Sequence, residues 1–534
     1  RIRLRAQRVA VRARPEFFEH RWTAQVRGGA LGWPDGFRSL DAGRFDSHDR
    51  AVEIDKQEFV LLNHRAHIGD DWQHLSETQL WRFHLHYWDW CWHLVGHRTS
   101  DDLTASVARM HNDWSTSTTY GTMDAWAPYV VSLRLWTWCG IHGHLASGSP
   151  IRQTFEQEIR RHAGFLRANL EADVGGNHLL KNLKAMIGAA VFLGDDRLLD
   201  EFSELLRLQL DIQILTDGGH YELSPSYHAQ VLSDLIDVSE LLHTSGSAVP
   251  HHVTDIVARM RKWLSEFVGP DGEVPVLNDA FAIDADELDR LGVPTHDGRK
   301  LVVLESSGYV IVRPRPDVQL VIDVGDPCPP ELPAHAQADC LTFELVIGDD
   351  RVIVDTGTSE YGSTQRRQFE RSTAAHNTVE IDGTNQTDVW GAFRAGRRAK
   401  PALLEACTTD DDTVVVEAEH DGYRHLAGRP IHRRRFEISA TGVTVLDTVS
   451  GRGAHHLVSR LLLASTKVSF DQSRSRLTVA LRDAHLSITG DRAVAVDTTG
   501  FRARMFGALE PATLASMAMS DELPVESRWR IEWT

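Results

Sequence analysis

A chain of 534 residues with 42% hydrophobic and 25% charged side chains is long enough for two to four domains with substantial cores. Its net charge of −18, from 57 Lys and Arg against 75 Asp and Glu, argues against broad binding to nucleic acid or an anionic membrane surface. No apolar run approaches the ~20 residues that span a bilayer, and the five scattered cysteines form no CxxC pair, which excludes a disulfide scaffold and leaves them as small core hydrophobes.

The chain opens at Arg1 with RIRLRAQRVAVRARP and no apolar signal core. This predicts a trimmed or partial N-terminus, with periplasmic or secreted placement as the expectation if a leader has been lost. Residues 1–70 are expected to form a partly helical extension. From about Leu75 to Val268 apolar residues recur at helical spacing, as in Leu179, Leu183, Met186, Ile187 and Ala190, or Val231, Leu235, Ile236 and Leu242. Few Gly or Pro residues interrupt these segments, so residues 71–285 read as repeated helical hairpins, an (α/α) toroid or incomplete barrel. The tryptophan runs Trp88-Asp89-Trp90-Cys91-Trp92 and Trp136-Thr137-Trp138 either fill this helical core, the favoured reading, or line a sugar-binding groove.

Gly269-Pro270-Asp271-Gly272 breaks the helical pattern, and after Leu301 short β-rich runs alternate with turns: LVVL, YVIV, VQLVIDV, FELVI, HNTVEI, GVTVLDTVS. Residues 300–534 therefore read as an antiparallel β-sandwich, with the boundary near 270–300.

Four constellations carry chemistry. Gly175-Gly176-Asn177-His178 opens a helix and either presents Asn177 and His178 to a ligand or caps the helix beside a buried His. Asp217-Gly218-Gly219-His220-Tyr221-Glu222-Leu223-Ser224-Pro225-Ser226-Tyr227-His228 crowds proton-transfer groups at a loop-to-helix junction. His335, Gln337 and Asp339 share one face if their segment is extended. Asp355 and His376 offer an oxygen and a nitrogen of the kind Zn²⁺ accepts, or simply cap turns. Between Gln365 and Lys400, seven basic residues (Arg366, Arg367, Arg371, Arg394, Arg397, Arg398, Lys400) face four acidic ones, and Arg433-Arg434-Arg435 forms another run. These either bind sulfate or carboxylate groups or form solvated strand faces with internal partners.

In that order, the GNH helix start, DGGHYELSPSYH, HAQADCLTFEL and AAHNTVEIDGTNQ followed by WGAFRAGRRA resemble the heparinase II/III-like polysaccharide lyases, over most of the chain. The resemblance implies an (α/α) toroid followed by an antiparallel β-sandwich. It also implies β-elimination on a uronic-acid polysaccharide such as a glycosaminoglycan or alginate, leaving a C4=C5 double bond. By the same resemblance Asn177, assisted by His178, neutralises the uronate carboxylate, His335 is the base, and Tyr227 is the acid and on some substrates also the base. Tyr129, Arg134, Glu222, His228, Tyr361, Arg371 and Arg394 are the expected substrate contacts. The family's metal position maps to Gln337, Asp355 and His376. Gln337 replaces a His there, which weakens the nitrogen-rich case for Zn²⁺ and favours a harder ion or a site held by hydrogen bonds alone; one divalent ion is still the expectation, Zn²⁺ first with Mn²⁺ or Ca²⁺ as alternatives, and no organic cofactor. The partner implied is an anionic polysaccharide. The alternatives are a non-catalytic polysaccharide-binding protein of export or assembly and, less favoured, a glycoside hydrolase using two of Glu222, Asp279 and Asp339.

Overall fold

The computed structural model describes residues 7, 10, 11, 13–122 and 124–534, the His251 side chain excepted. The opening segment, with its expected trimmed terminus, lies mostly outside the described residues. The chain divides into two units. One is the described part of the chain up to Gln213 with Gln230–Ala258, and the other is Ile214–Ala229 with Arg259–Thr534.

The first unit is helical, of the incomplete (α/α) toroid type. Its main helices are α1 (Ser100–Ser117), α2 (Pro128–His142), α3 (Pro150–Ala168), α4 (Gly176–Leu193) and α5 (Asp196–Gln213); α6 (Pro225–Thr244) and α7 (His251–Phe267) each run from one unit into the other. Local chemistry sets their starts. The Thr99 hydroxyl accepts from Asp102 N–H at the head of α1, with Asp101 and Asp102 complementing the helix dipole, and a proline opens α2 and α3. Helix α5 buries Leu198, Phe202, Leu206 and Leu210, a stripe at four-residue spacing. Helix α4 packs on α2 and α5 and is buried on nearly every side, which its apolar sequence allows. Trp72, Trp81, Trp88, Trp90, Trp114 and Trp138 are all wholly buried, so the tryptophan runs are core and not a sugar-binding surface.

Ahead of α1, the described part of the extension holds helices Pro15–Thr23, Leu40–Arg44 and His48–Asp55 and a small hairpin, Glu58–Leu61 with His64–His67.

The second unit is an antiparallel sandwich. Its strands in chain order are β1 (Leu301–Leu304), β2 (Tyr309–Arg315), β3 (Val318–Asp323), β4 (Phe343–Ile347), β5 (Asp350–Ile353), β6 (Val379–Ile381), β7 (Val389–Trp390), β8 (Arg394–Ala395), β9 (Pro401–Thr408), β10 (Val414–His420), β11 (Ile431–Ser439), β12 (Gly442–Ser450), β13 (Ala454–Leu463), β14 (Val468–Asp471), β15 (Arg476–Ala480), β16 (His485–Gly490), β17 (Val494–Met505), β18 (Ala508–Glu522) and β19 (Val525–Trp533). One sheet runs β17-β18-β13-β5-β4-β3-β2-β1 with β6 beside β13, and the other runs β9-β10-β11-β12-β19-β16-β15-β14. Strand β12 buries every second residue, Val443, Val445, Asp447 and Val449, as one-sided burial requires. Strand β3 is buried at all six positions and correspondingly lacks alternation. Val312, Leu320 and Leu345 of the first sheet meet Val416, Phe436, Val445 and Ile531 of the second in one core. The hairpin β7–β8 belongs to neither sheet.

Candidate active site

In the helical unit, Gly175 caps α4 with a φ of +74°, a left-handed conformation that glycine adopts at low cost. Asn177 is buried in the first turn that follows, and His178 beside it keeps 39% of its side chain exposed. His178 Nδ1–H donates to Glu171 Oε1 (3.2 Å). Glu171 is held in turn by Asn182, whose amide donates to Glu171 Oε2 (3.1 Å) and whose carbonyl accepts from Glu171 N–H (2.8 Å). The Tyr129 ring lies 4.4 Å from the His178 ring. Tyr129, Asn177 and His178 are thus gathered at one helix start, with Glu171 as an orienting partner that sequence reading overlooked.

Arg134 is not part of that group. It is wholly buried, with Nη1 on His86 O (2.8 Å), Nη2 on Ala125 O (2.8 Å) and Nε on His162 Nε2 (3.0 Å), and its guanidinium lies 4.7 Å from the Trp114 ring centroid. The expectation of a substrate contact there is corrected: every nitrogen serves packing.

In the sheet unit, the segment from Asp217 to His228 delivers Tyr227 through a strained turn. Leu223 has φ +59°, costly for a large side chain, and its carbonyl accepts from Tyr309 Oη–H (2.6 Å) and Asn278 Nδ2–H (3.1 Å). The Ser224 hydroxyl donates to Asp279 O (2.7 Å) and receives Tyr227 N–H (3.4 Å), and Pro225 starts α6. Tyr227 Oη then lies 2.6 Å from Tyr361 Oη, and its ring lies 4.1 Å from the His335 ring at a tilt of 33°. Burial pushes the Tyr227 phenol well above its ordinary value.

His335 is oriented from behind. Its Nδ1–H donates to Asp279 Oδ2 (3.1 Å), while its Nε2 faces Glu222 Oε2 at 3.8 Å. Asp279 also accepts from Arg367 Nη1 and Nη2 (2.7 and 2.6 Å), Gln337 Nε2 (3.0 Å) and Thr358 Oγ1 (3.3 Å). Burial disfavours the Asp279 carboxylate, but Arg367 and the hydrogen bonds hold it well below the usual carboxylate range. A carboxylate at Asp279 can only accept from His335, which places the ring N–H on Nδ1. Tyr227, Tyr361, His335 and Glu222 therefore form one cluster. Asp279 and Arg367 complete it; sequence reading gave Asp279 only to a hydrolase and Arg367 only to a basic run.

Two further substrate expectations are corrected. His228 is buried, accepts His220 N–H at Nδ1 (3.1 Å), donates from Nε2 to Met260 O (3.0 Å) and stacks on Trp263, and burial lowers it to about 3. Arg371 is buried and donates to Ala336 O (3.0 Å) and Gly391 O (3.2 Å). Arg394 is exposed on β8. The run at Arg433 is a set of internal pairs, Arg433 with Glu419 (2.7 Å), buried Arg434 with Asp447 (2.6 Å) and Arg435 with Glu405 (2.9 Å).

Around the expected metal position, His376 Nδ1 lies 2.7 Å from Asp355 Oδ2, and burial, which lowers a histidine, is outweighed by Asp355, so His376 is raised. Among the described residues no three His, Cys, Asp or Glu side chains come together as a metal site. Four buried atoms, Gln337 Oε1, His376 Nε2 and both Asp339 carboxylate oxygens, have no hydrogen-bond partner among the described residues. Oxygen donors with one imidazole are the chemistry of a hard or borderline divalent ion.

The profile of the heparinase II/III N-terminus matches residues 53–291, and that of the heparinase II/III-like C-terminal region matches residues 296–522. FtsZ-localized protein C of Caulobacter vibrioides is 26% identical over 404 residues, which are 70% of this chain and 65% of that one. A heparin-sulfate lyase of Bacteroides stercoris is 23% identical over 319 residues, 52% of this chain and 44% of its own. The chain thus spans less than two thirds of the length of either. The crystal structure of heparinase III shares the fold at a TM-score of 0.79 and 17% identity, over 93% of this chain and 85% of that one. With both profiles matched in order and the helical and sheet units both present, the chain belongs to the heparinase II/III-like family.

Proposed function

We propose that the protein is a polysaccharide lyase that cleaves a uronic-acid-containing polysaccharide by β-elimination. The observation that carries this reading is the Tyr227–His335–Asp279–Arg367 array: a phenol lying against an imidazole whose Nδ1 is held by a carboxylate that an arginine clamps in turn. In the proposed reaction His335 Nε2 takes the C5 proton of the uronate. The electron pair of that bond becomes the C4=C5 double bond as the C4–O bond breaks, and Tyr227 Oη gives its proton to the departing oxygen. A phenol held above its ordinary value is protonated at neutral pH, which suits Tyr227 to the acid's role and gives the base's role to His335. Asn177 and His178 are assigned to the uronate carboxylate, whose negative charge grows as the proton leaves. Family membership and the heparin-sulfate lyase relatives support the reaction class.

A divalent ion on Gln337, Asp355 and His376 belongs to the proposal, as Zn²⁺ or, with these oxygen donors, Mn²⁺ or Ca²⁺. It would brace the turns that carry these side chains, and no proton step above uses it. A second reading, a polysaccharide-binding protein without turnover, draws on the similarity to a protein named for its localisation to FtsZ.

Incubation with heparosan, heparan sulfate, hyaluronan, chondroitin sulfates, alginate and polygalacturonate separates the two readings. Elimination yields new ultraviolet absorbance on at least one polymer, and Tyr227→Phe lowers that rate by about 100-fold or more. A Tyr227→Phe protein with full activity would overturn the mechanism, and binding without any absorbance would favour the second reading.

A further inference from the structure

Hairpin β7–β8 stands outside both large sheets, yet it is mounted on two buried arginines. Arg367 Nε and Nη2 donate to Ala392 O (3.3 and 3.2 Å), and Arg371 Nη1 donates to Gly391 O (3.2 Å). The same Arg367 clamps Asp279 behind His335, and Arg371 Nε holds the carbonyl of Ala336, the next residue after His335 (3.0 Å). Burying a guanidinium is costly. Spending two of them on an exposed turn fixes that turn relative to His335, and such preorganisation favours binding.

The surface so held is suited to a charged sugar. Trp390 and Arg394 are direct cross-strand partners, so their side chains share one face of the hairpin. Trp390 is 47% exposed and lies against Gly396, where a Cβ would meet its ring at 2.9 Å. Phe393, 43% exposed, extends the aromatic surface to within 5.1 Å of the Tyr361 ring, whose hydroxyl meets Tyr227. Among the described residues no side-chain hydrogen bond or ion pair engages the Arg394 guanidinium, whereas that of its neighbour Arg397 pairs with Asp388 (2.7 Å). An open indole face takes the C–H face of a pyranose, and an unspent guanidinium beside it takes a carboxylate or sulfate in bidentate fashion.

We propose that the Trp390–Arg394 face is a subsite for one uronate or sulfated sugar ring of the polymer, held in register with His335 through Arg367 and Arg371. The inference rests on the polysaccharide reading above; Arg394 is already an expected substrate contact, and the geometry adds the Trp390 face and its mounting on Arg367 and Arg371.

The test combines binding and kinetics. Trp390→Ala and Arg394→Ala are made singly, with unchanged melting temperatures as the control for folding. Each protein is run through native gels containing heparosan, heparan sulfate, chondroitin sulfate or alginate, and kcat and KM are measured on any polymer that is cleaved. Each substitution raises the apparent Kd or KM roughly 5- to 10-fold with kcat changed less than about twofold. Arg394→Lys recovers only part of the loss, because an ammonium cannot bind bidentately. Equal retardation and equal KM for wild type and both alanine variants would overturn the subsite. If the wild type is retarded but cleaves nothing, and the variants lose retardation, the subsite stands and the lyase reading falls. A wild type that is neither retarded nor active on any of these polymers overturns both.

Discussion

Arg134 in the helical unit and Arg367 in the sheet unit are both wholly buried, and the two regions handle the charge in opposite ways. Arg134 sits among Trp114, Trp126 and Trp138 and donates only to neutral acceptors, so burial lowers it to about 9. Arg367 suffers the same burial, but the Asp279 carboxylate offsets it and holds the guanidinium above its ordinary value. A buried cation with neutral partners organises packing alone. One with a carboxylate also fixes that carboxylate's ionisation, and here the effect passes on to an imidazole.

The largest effect separating the two regions comes from Asp279→Asn. The amide neither stabilises an imidazolium nor enforces the Nδ1–H form of His335, so the proposed lyase turnover falls by about 10²–10⁴-fold. Activity within a few-fold of wild type would show that the carboxylate is only structural. Next is Arg134→Met. It leaves the carbonyls of His86 and Ala125 unpaired among the tryptophans and lowers unfolding free energy in urea by about 3–5 kcal/mol, while turnover per folded molecule is unchanged. A fall in kcat at unchanged stability would erase the distinction between the two arginines.

The smallest effect concerns Glu370, also in the sheet unit, which accepts from the hydroxyl and N–H of Ser359 and which burial raises to about 7. The folded state holds this proton more tightly than the unfolded chain. Its contribution is therefore complete below the ordinary carboxyl value and is lost as pH rises through about 7. Glu370→Gln removes that slope, so the variant gains about 1–3 kcal/mol on wild type between roughly pH 5 and pH 8, read from melting curves across pH. Parallel curves would place the proton elsewhere.

Much of this architecture is legible in sequence because it is periodic. The alternation in GVTVLDTVS and the four-residue stripe of α5 are local consequences of one-sided burial, and the structure shows both. The Tyr227 segment stands out because it crowds proton-transfer groups into twelve residues, whereas His335 stands out only through the family resemblance. The orienting shell is less so. Arg367 lies 88 residues from Asp279, a separation that no spacing rule in one chain can bridge, so Arg367 counts in sequence as one member of a basic run. Arg134 misleads for the reverse reason: an arginine in a helix among aromatics has the same residue types whether it faces a ligand or a tryptophan cage. Glu171, seven residues before His178, was within reach of a local argument.

The left-handed Leu223 has a consequence for protein engineering. Its conformation is sustained by hydrogen bonds from Asn278 and Tyr309, residues far along the chain from the loop they hold. The DGGHYELSPSYH segment is therefore not a portable cassette. Grafted alone into another scaffold, it would relax and misaim its phenol; the smallest transplantable unit is discontinuous and must bring Asn278 and Tyr309 with it.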